Sequence, residues 1–448
     1  MKLSRFFLSV AAGCGLLGYQ AELSFAQGYY QSGSHRGVAY NYYHQNEAAS
    51  PSDRPAVQET GRGRKAIQNP RKLVPQKAGG KGWQWDFLDQ FCHAPCEPWT
   101  LFANDNASRI TINGHTQIGY HTEGTNGDGT PGSFNDYPNR FQLHQQWLKV
   151  QRAAHSGKGF DWGFGLDYVY GTDGPDTQAG YNSAGEWDED WDNGSAYGHA
   201  IPQLYAEVAY AGMRVKGGHF FSPMGYETVA STGNFFYSRS YGRGLALGGG
   251  GRLIPRTVTG VLADYNIGDH VTVSAGWIDG FDTGFGSGGG SMFMGSASMA
   301  LFDQMHMSYT LASGDAADGD EIYVHDLIVQ WQVTDRIESV FETILLADHD
   351  GDNSEITLNN YMFYVLNDCM KIGLRSEWVD PGRDNEEFNA VTVGLNYQAT
   401  SNLLLRPELR FDNFHQDINS GADSDGPLSS STGRRDSTVF GVDIILTY

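Results

Sequence analysis

The sequence predicts an all-β fold: a transmembrane, antiparallel, up-and-down β-barrel of about 16 strands (14–18) behind a disordered N-terminal periplasmic extension. Three observations predict it. From about Arg109 onward the 448-residue chain breaks into stretches rich in Val, Ile, Tyr, Phe, Trp and Thr, several of them alternating. The links between those stretches alternate between short and long. The chain also finishes on STVFGVDIILTY, which sets Phe440, Val442, Ile444, Leu446 and Tyr448 two apart.

Composition agrees. The chain holds 58 glycines, 24 tyrosines, 24 phenylalanines and 10 tryptophans, yet its mean hydropathy is −0.43. That combination suits a thin apolar outer layer over a structure that otherwise meets water. A net charge of −22 argues against nucleic acid as a partner, because phosphate backbones reward clustered Lys and Arg. With Cys14 in the leader, Cys92, Cys96 and Cys369 remain, an odd number that implies no complete disulfide framework.

Residues 1–26 read as a secretory signal peptide: Lys2 and Arg5, an apolar run from Phe6 to Leu17, then Ser24-Phe25-Ala26 before the cut. The stretch before Cys14 loosely resembles a lipobox, but its apolar core is short. Residues 27–105 are rich in Gln, Gly, Pro, Ser and Arg and show no period, so they form a low-complexity periplasmic segment without a core of its own. Eight basic residues and one acid lie between Arg54 and Lys81, which makes this arm either a solvated linker or a contact for anionic cell-wall polymer. Residues 83–102 are more ordered in character. Cys92, His93 and Cys96 do not complete a tetrahedral metal site, so a local disulfide or two reduced thiols is expected there.

The barrel occupies 106–448. Its strands are expected near 109–121, 140–153, 159–171, 202–211, 213–221, 256–266, 270–280, 292–302, 304–313, 322–333, 336–347, 357–367, 370–380, 387–399, 402–414 and 436–448. Seven short links alternate with eight long ones, the count for sixteen strands with both termini on one side. Strand faces separate by the two-residue period. In the fifteenth strand Leu403, Leu405, Leu409 and Phe411 oppose Arg406, Glu408, Arg410 and Asp412. In the fourteenth Val391, Val393, Leu395 and Tyr397 oppose Thr392, Gly394, Asn396 and Gln398. The second strand, RFQLHQQWLKVQR, is less clean, with polar residues on both faces. Lipid cannot satisfy a free strand edge, so the last strand must pair with the first. Tyr120, Tyr168, Tyr170, Tyr210, Trp277, Trp331, Trp378 and Tyr397 sit at strand ends as an interfacial girdle would.

Several stretches carry a family resemblance: NGHTQIGYHTEG (113–124), GFDWGFGLDYVYGTDG (159–174), PQLYAEVAYAGMRVKGGHFFSPMGYE (202–227), FFYSRSYG (235–242) and VSAGWIDGFDTG (273–284). In these the chain resembles Gram-negative outer-membrane porins, and more narrowly the β-barrel porin family called OmpL-like, abundant in Planctomycetes. The resemblance implies a passive, water-filled pore for small hydrophilic solutes or ions, with no enzymatic activity, no cofactor and no catalytic set. It also implies an outer-membrane location, passage through barrel-assembly machinery and a homotrimer. A structural or adhesive barrel with acidic surface loops and no conductance is the alternative.

The inner wall is expected to carry Arg214, Lys216, Arg336, Glu338, Glu342, Lys371, Arg375, Glu377, Arg406, Glu408 and Arg410, hydrated in the lumen and giving weak selectivity with a slight anion preference. The third long loop, from Ser222 to Pro255, is a candidate constriction through Tyr226, Glu227, Tyr237, Arg239, Tyr241 and Arg243. The acidic stretch from Thr172 to Pro202 competes with it, and either could instead cover the mouth. DHDGDNSE lacks the late glutamate of an EF-hand, and GRGLALGGGG lacks the context of a nucleotide loop, so neither predicts a metal or cofactor. Phe440, Val442, Ile444, Leu446 and Tyr448 resemble the C-terminal signal read during barrel assembly.

Overall fold

The computed structural model describes Cys92 and residues 98–102, 104, 108–124, 134–156, 159–179, 187–188, 196–244, 246–247, 251–268, 270–286, 290–302, 304–316, 321–348, 354–380, 382, 387–414 and 436–448. The expected signal peptide, basic arm and Cys96 lie outside these residues, as do most of 83–102 and DHDGDNSE and the glycines at 248–250.

Sixteen antiparallel strands close into one barrel, each paired with its neighbours in sequence. They are β1 (Thr111–His121), β2 (Phe141–Arg152), β3 (Phe160–Gly171), β4 (Gly198–Tyr210), β5 (Met213–Phe221), β6 (Thr257–Ile267), β7 (Val271–Ile278), β8 (Ser291–Phe302), β9 (Met305–Asp315), β10 (Glu321–Thr334), β11 (Ile337–Asp348), β12 (Ser354–Asn367), β13 (Met370–Asp380), β14 (Phe388–Thr400), β15 (Leu403–Phe414) and β16 (Asp436–Thr447). Of the seven links at one end, six have two or three residues and the β2–β3 link has seven, while the eight at the other end have five or more, so the alternation expected from the sequence holds apart from β2–β3. The fourth strand begins at Gly198, four residues before its sequence-based start. Among the described residues no helix is long and apolar enough to cross a membrane.

The seam is β1 against β16, in register from His115↔Thr447 to His121↔Gly441. Tyr448 continues it, exchanging backbone hydrogen bonds with Gly114 at 2.9 and 3.0 Å. Its ring lies over the outward face of Gly114, and Gln146 donates to its hydroxyl. The barrel sheet thus has no free edge among the described residues, which a sheet in hydrocarbon requires.

Alternation places apolar side chains outside, and inside a mixture of polar and charged groups with apolar ones such as Met292, Met294, Val340 and Ile344 that pack under the loops. Phe141 is 78% exposed and Trp277 56%, whereas Arg375 of β13 is fully buried. The ambiguous β2 pattern has a structural cause. Gln117 pairs with Gln145 but Ile118 pairs with Leu143, so His144 is an extra, bulged residue. The bulge turns both His144 and Gln145 into the barrel. It thereby keeps Gln142, Trp147 and Lys149 inward on either side of the break.

The N-terminal segment is fastened to the short-turn end. Cys92 is disulfide-bonded to Cys369 in the β12–β13 turn, 277 residues away. This corrects the expectation of a local Cys92–Cys96 pair or reduced thiols. Barrel closure brings a distant turn to Cys92, which local spacing could not reveal. Farther along, Trp99 and Asn402 of the β14–β15 turn exchange two hydrogen bonds, at 3.0 and 2.9 Å. Asn104 then accepts from the Ile112 N–H at 2.8 Å, leading the segment into β1.

Candidate functional site

The site is the lumen and the loop within it. A wall lined with carboxylates and guanidinium groups is costly to dry unless every group finds a partner. The loop joining β5 to β6 supplies those partners with its own backbone. It crosses the barrel and lies along the inward faces of β10 to β16, β1 and β2. The third long loop therefore enters the lumen. The stretch after β3 also reaches inside at its start, through a short helix, Asp173–Thr177, whose Asp173 bonds the inward His144 and Gln145 at 3.0 and 2.8 Å.

Wall carboxylates accept the loop's N–H groups. Asp326 takes Gly225 at 2.7 Å and Glu342 takes Tyr226 at 2.6 Å. Glu408 takes Tyr237 and Ser238, at 2.8 and 3.1 Å, and Glu377 takes Tyr241 at 2.6 Å. Wall arginines donate to its carbonyls. Arg406 reaches Ser231 and Asn234 at 3.0 and 2.7 Å, Arg375 reaches Ser238 at 2.9 Å, and Arg410 reaches Arg239 at 2.7 Å. The remaining charge is paired within the wall or with the loop: Arg375 with Glu227 at 2.7 Å and Glu377 at 2.8 Å, Arg406 with Asp443 at 2.5 Å, and Arg410 with Asp412 at 2.8 Å.

The aromatic run Phe235-Phe236-Tyr237 rests on a row of inward glycines. Gly373 and Gly394 are direct cross-strand partners, Gly394 faces Glu408, and Glu408 faces Gly441. A Cβ on Gly373 would lie 2.4 Å from the Phe235 ring, on Gly394 3.0 Å from Phe236, and on Gly441 2.5 Å from Tyr237. Only bare backbone leaves room for three rings against the wall. Arg375 packs its guanidinium 5.0 Å from the Phe236 ring, and Arg410 lies 4.3 Å from that of Tyr241.

Burial sets the electrostatics of the loop. It pushes the Tyr237 and Tyr241 hydroxyls well above the usual phenol range, aided by nearby carboxylates, so both stay neutral. The Tyr241 hydroxyl donates to Asp412 at 2.9 Å, and that of Tyr237 meets His144 Nε2 at 2.6 Å. Burial also lowers Arg239 to about 10, which leaves it charged at neutral pH and donating to the Val229 carbonyl at 2.9 Å. Arg243 ties the two ends of the loop by donating to the Met224 and Pro255 carbonyls, each at 3.2 Å. Tyr226 packs at a tilt against Tyr361 with ring centroids 4.7 Å apart.

Two corrections follow for the expected pore wall. Arg336 is not on it; the residue sits exposed in the β10–β11 turn, because β11 starts one residue later, at Ile337. Glu342, Arg375, Glu377, Arg406, Glu408 and Arg410 do point inward but are buried under the loop rather than hydrated. Glu338 and Lys371 face inward as a pair at 2.8 Å, with Lys371 4.6 Å from the Phe363 ring. Arg214 and Lys216 remain on open wall, lining a cavity of about 130 Å³ between the loop and the β5–β10 arc. Arg214 pairs with Asp264 at 2.6 Å, and Lys216 lies 4.4 Å from the Tyr205 ring. Toward the long-loop end of that arc, Leu262, Ile278, Met292, Met294, Ala312 and Val324 pack under Met224, Leu253 and Ile254 of the loop. Toward the short-turn end the wall is a neutral surface of Ser and Thr from β7, β8 and β9, which sequence reading did not single out. Its signal is there, as small hydroxyl residues at every second position of three successive strands.

A family model described as "Putative beta-barrel porin-2, OmpL-like" matches residues 109–448. No curated protein matches the chain. Among solved structures, the chain is similar to the outer membrane channel DcaP of Acinetobacter baumannii, with 12% identity, a TM-score of 0.50, and coverage of 76% of this chain and 97% of that one. It is equally similar to an anion-selective porin from Comamonas acidovorans: 12% identity, TM-score 0.50, with 76% of this chain and 99% of that one covered. Identities this low bear on the fold alone.

Proposed function

The chain belongs to the "Putative beta-barrel porin-2, OmpL-like" family, and from that premise we propose that its outer-membrane channel works by passive diffusion of small hydrophilic solutes. The observation that carries this reading is the cavity between the inserted loop and the β5–β10 arc, which has hydroxyl, charged and apolar side chains in its lining. The loop saturates one side of the lumen with hydrogen bonds. On the other side it packs Met224, Leu253 and Ile254 on the wall at the long-loop end and leaves the hydroxyl-lined part of the arc facing the cavity. Solutes then pass along that side, through a bore set by the loop rather than by the strands. Arg214 is paired with Asp264, and Glu207 lies 3.9 Å away, so charge selectivity along the passage is weak. The long loops face outward and the short turns the periplasm, where the N-terminal segment is tethered and its basic arm can meet the cell wall. No enzymatic role is assigned. We read the outward set Phe440, Val442, Ile444, Leu446 and Tyr448 as the face offered to assembly machinery and then to lipid.

The tight seal of the loop favours one competing reading, a structural barrel without conductance. Liposome swelling with neutral solutes of graded size separates the two. A size-dependent influx supports diffusion, and no influx above protein-free liposomes supports a closed barrel.

A further inference from the structure

We propose that six hydroxyls on three adjacent strands form a subsite for small, neutral, polyhydroxylated solutes such as sugars and polyols, an inference that rests on the channel reading above. Ser274, Ser296 and Thr310 are direct cross-strand partners on β7, β8 and β9, and so are Thr272, Ser298 and Ser308 one step along the same face. All six line the cavity. Strands lie about 4.8 Å apart and same-face residues about 7 Å apart, so the patch measures roughly 10 by 7 Å, the scale of one monosaccharide.

The hydroxyls are available. Ser274 donates to Asp264 at 2.7 Å and Thr272 to Asn266 at 2.9 Å. The hydroxyls of Ser296, Ser298, Ser308 and Thr310 have no protein partner among the described residues. Each hydroxyl both donates and accepts, so the patch can match neighbouring hydroxyls of a solute in either direction. The loop side of the same cavity includes Pro223, Met224 and Val229. A sugar ring has hydroxyl edges and apolar C–H faces, and a slot that sets the hydroxyl patch across from these apolar side chains meets both, with Glu227 and Arg243 on the same loop side. None of the six groups is charged, so the patch offers an ion nothing comparable.

The test uses the purified full-length chain in liposomes and in planar bilayers. Swelling rates are compared for D-glucose, mannitol and glycine betaine, the last being small, hydrophilic and without hydroxyls. The substitutions Ser296→Ala, Ser298→Ala, Ser308→Ala and Thr310→Val together should lower the glucose-to-betaine and mannitol-to-betaine ratios about fivefold, with KCl conductance retained. The conservative pair Ser296→Thr and Ser298→Thr should preserve the ratios. Unchanged ratios in the fourfold variant, with KCl conductance intact, overturn the subsite and leave the channel standing. Absence of both swelling and KCl conductance in the unmodified chain overturns the channel reading and the subsite with it. If the fourfold variant does not insert, the pair Ser296→Ala and Ser298→Ala carries the same comparison, with an expected drop of about twofold.

Discussion

Arg375 on β13 meets Glu227 of the inserted loop at 2.7 Å, and both side chains are closed off from solvent. Arg375 also donates to the Ser238 carbonyl and the Ser238 hydroxyl, so it joins wall and loop at three points, while Glu377 pairs with it within the wall. Removing one partner leaves the other buried and uncompensated, at a cost of about 3–5 kcal/mol. Glu227→Ala should therefore loosen the loop while the barrel stays closed. Single-channel recording should show larger and noisier steps than those of the unmodified protein. Steps of unchanged size and noise would mean that the pair does not hold the loop.

The glycine row gives a second handle on the same loop. Gly373→Val puts a side chain where the Phe235 ring lies, and overpacking of this kind costs about 1–3 kcal/mol. Gly217, whose added Cβ would meet nothing closer than 3.7 Å, should accept alanine with little effect. Protease sensitivity of the loop in the assembled barrel should rise for Gly373→Val and stay level for Gly217→Ala. Equal sensitivity in both variants would show that the row does not seat the aromatic run.

The Cys92–Cys369 bond links the segment before the barrel to the β12–β13 turn. Cleaving the purified protein in an exposed long loop between these positions should give fragments that stay joined on denaturing gels until a reductant is added. Cys369→Ser should release them without a reductant. A link that survives in Cys369→Ser would assign the disulfide to other cysteines.

Much of this fold could be read before any coordinates. Strand number, link parity and outward faces follow from local rules: a two-residue period, turn residues and the need for closure. The entry of the third long loop was legible in part, through its aromatics and arginines. What stayed hidden depends on registers between strands far apart in sequence. Gly373, Gly394 and Gly441 look like unremarkable strand glycines until pairing sets them in one row around Glu408. The arginines of β13 and β15 look like a hydrated ring until a loop from the opposite wall covers them. The same limit hid the Cys92 partner, and the bulge at His144 broke the alternation on which the β2 reading relied.

At the seam, Tyr448 lies over Gly114, and its hydroxyl receives Gln146. Tyr448→Asp removes the ring and places a charge on the lipid-facing side. The loss should appear as a lower temperature for conversion of the compact gel form to the unfolded one, and as less protein reaching the membrane. Tyr448→Phe should lose only the hydroxyl contacts and shift that temperature less. Equal shifts in the two variants would rule out the ring-on-glycine contact as the source of seam stability.

The central claim is an open passage on the hydroxyl-lined arc and a sealed one on the glycine row. Planar-bilayer recording in concentrated KCl tests it directly, with Ser298→Cys and, on the sealed side, Thr392→Cys, whose inward side chain is fully buried two residues before Gly394, each made in a Cys96→Ser background. The unmodified protein should give discrete conductance steps. A bulky cationic thiol reagent should shrink those of Ser298→Cys and leave those of Thr392→Cys unchanged. Absence of steps in the unmodified protein, or block at Thr392→Cys with none at Ser298→Cys, would contradict the account.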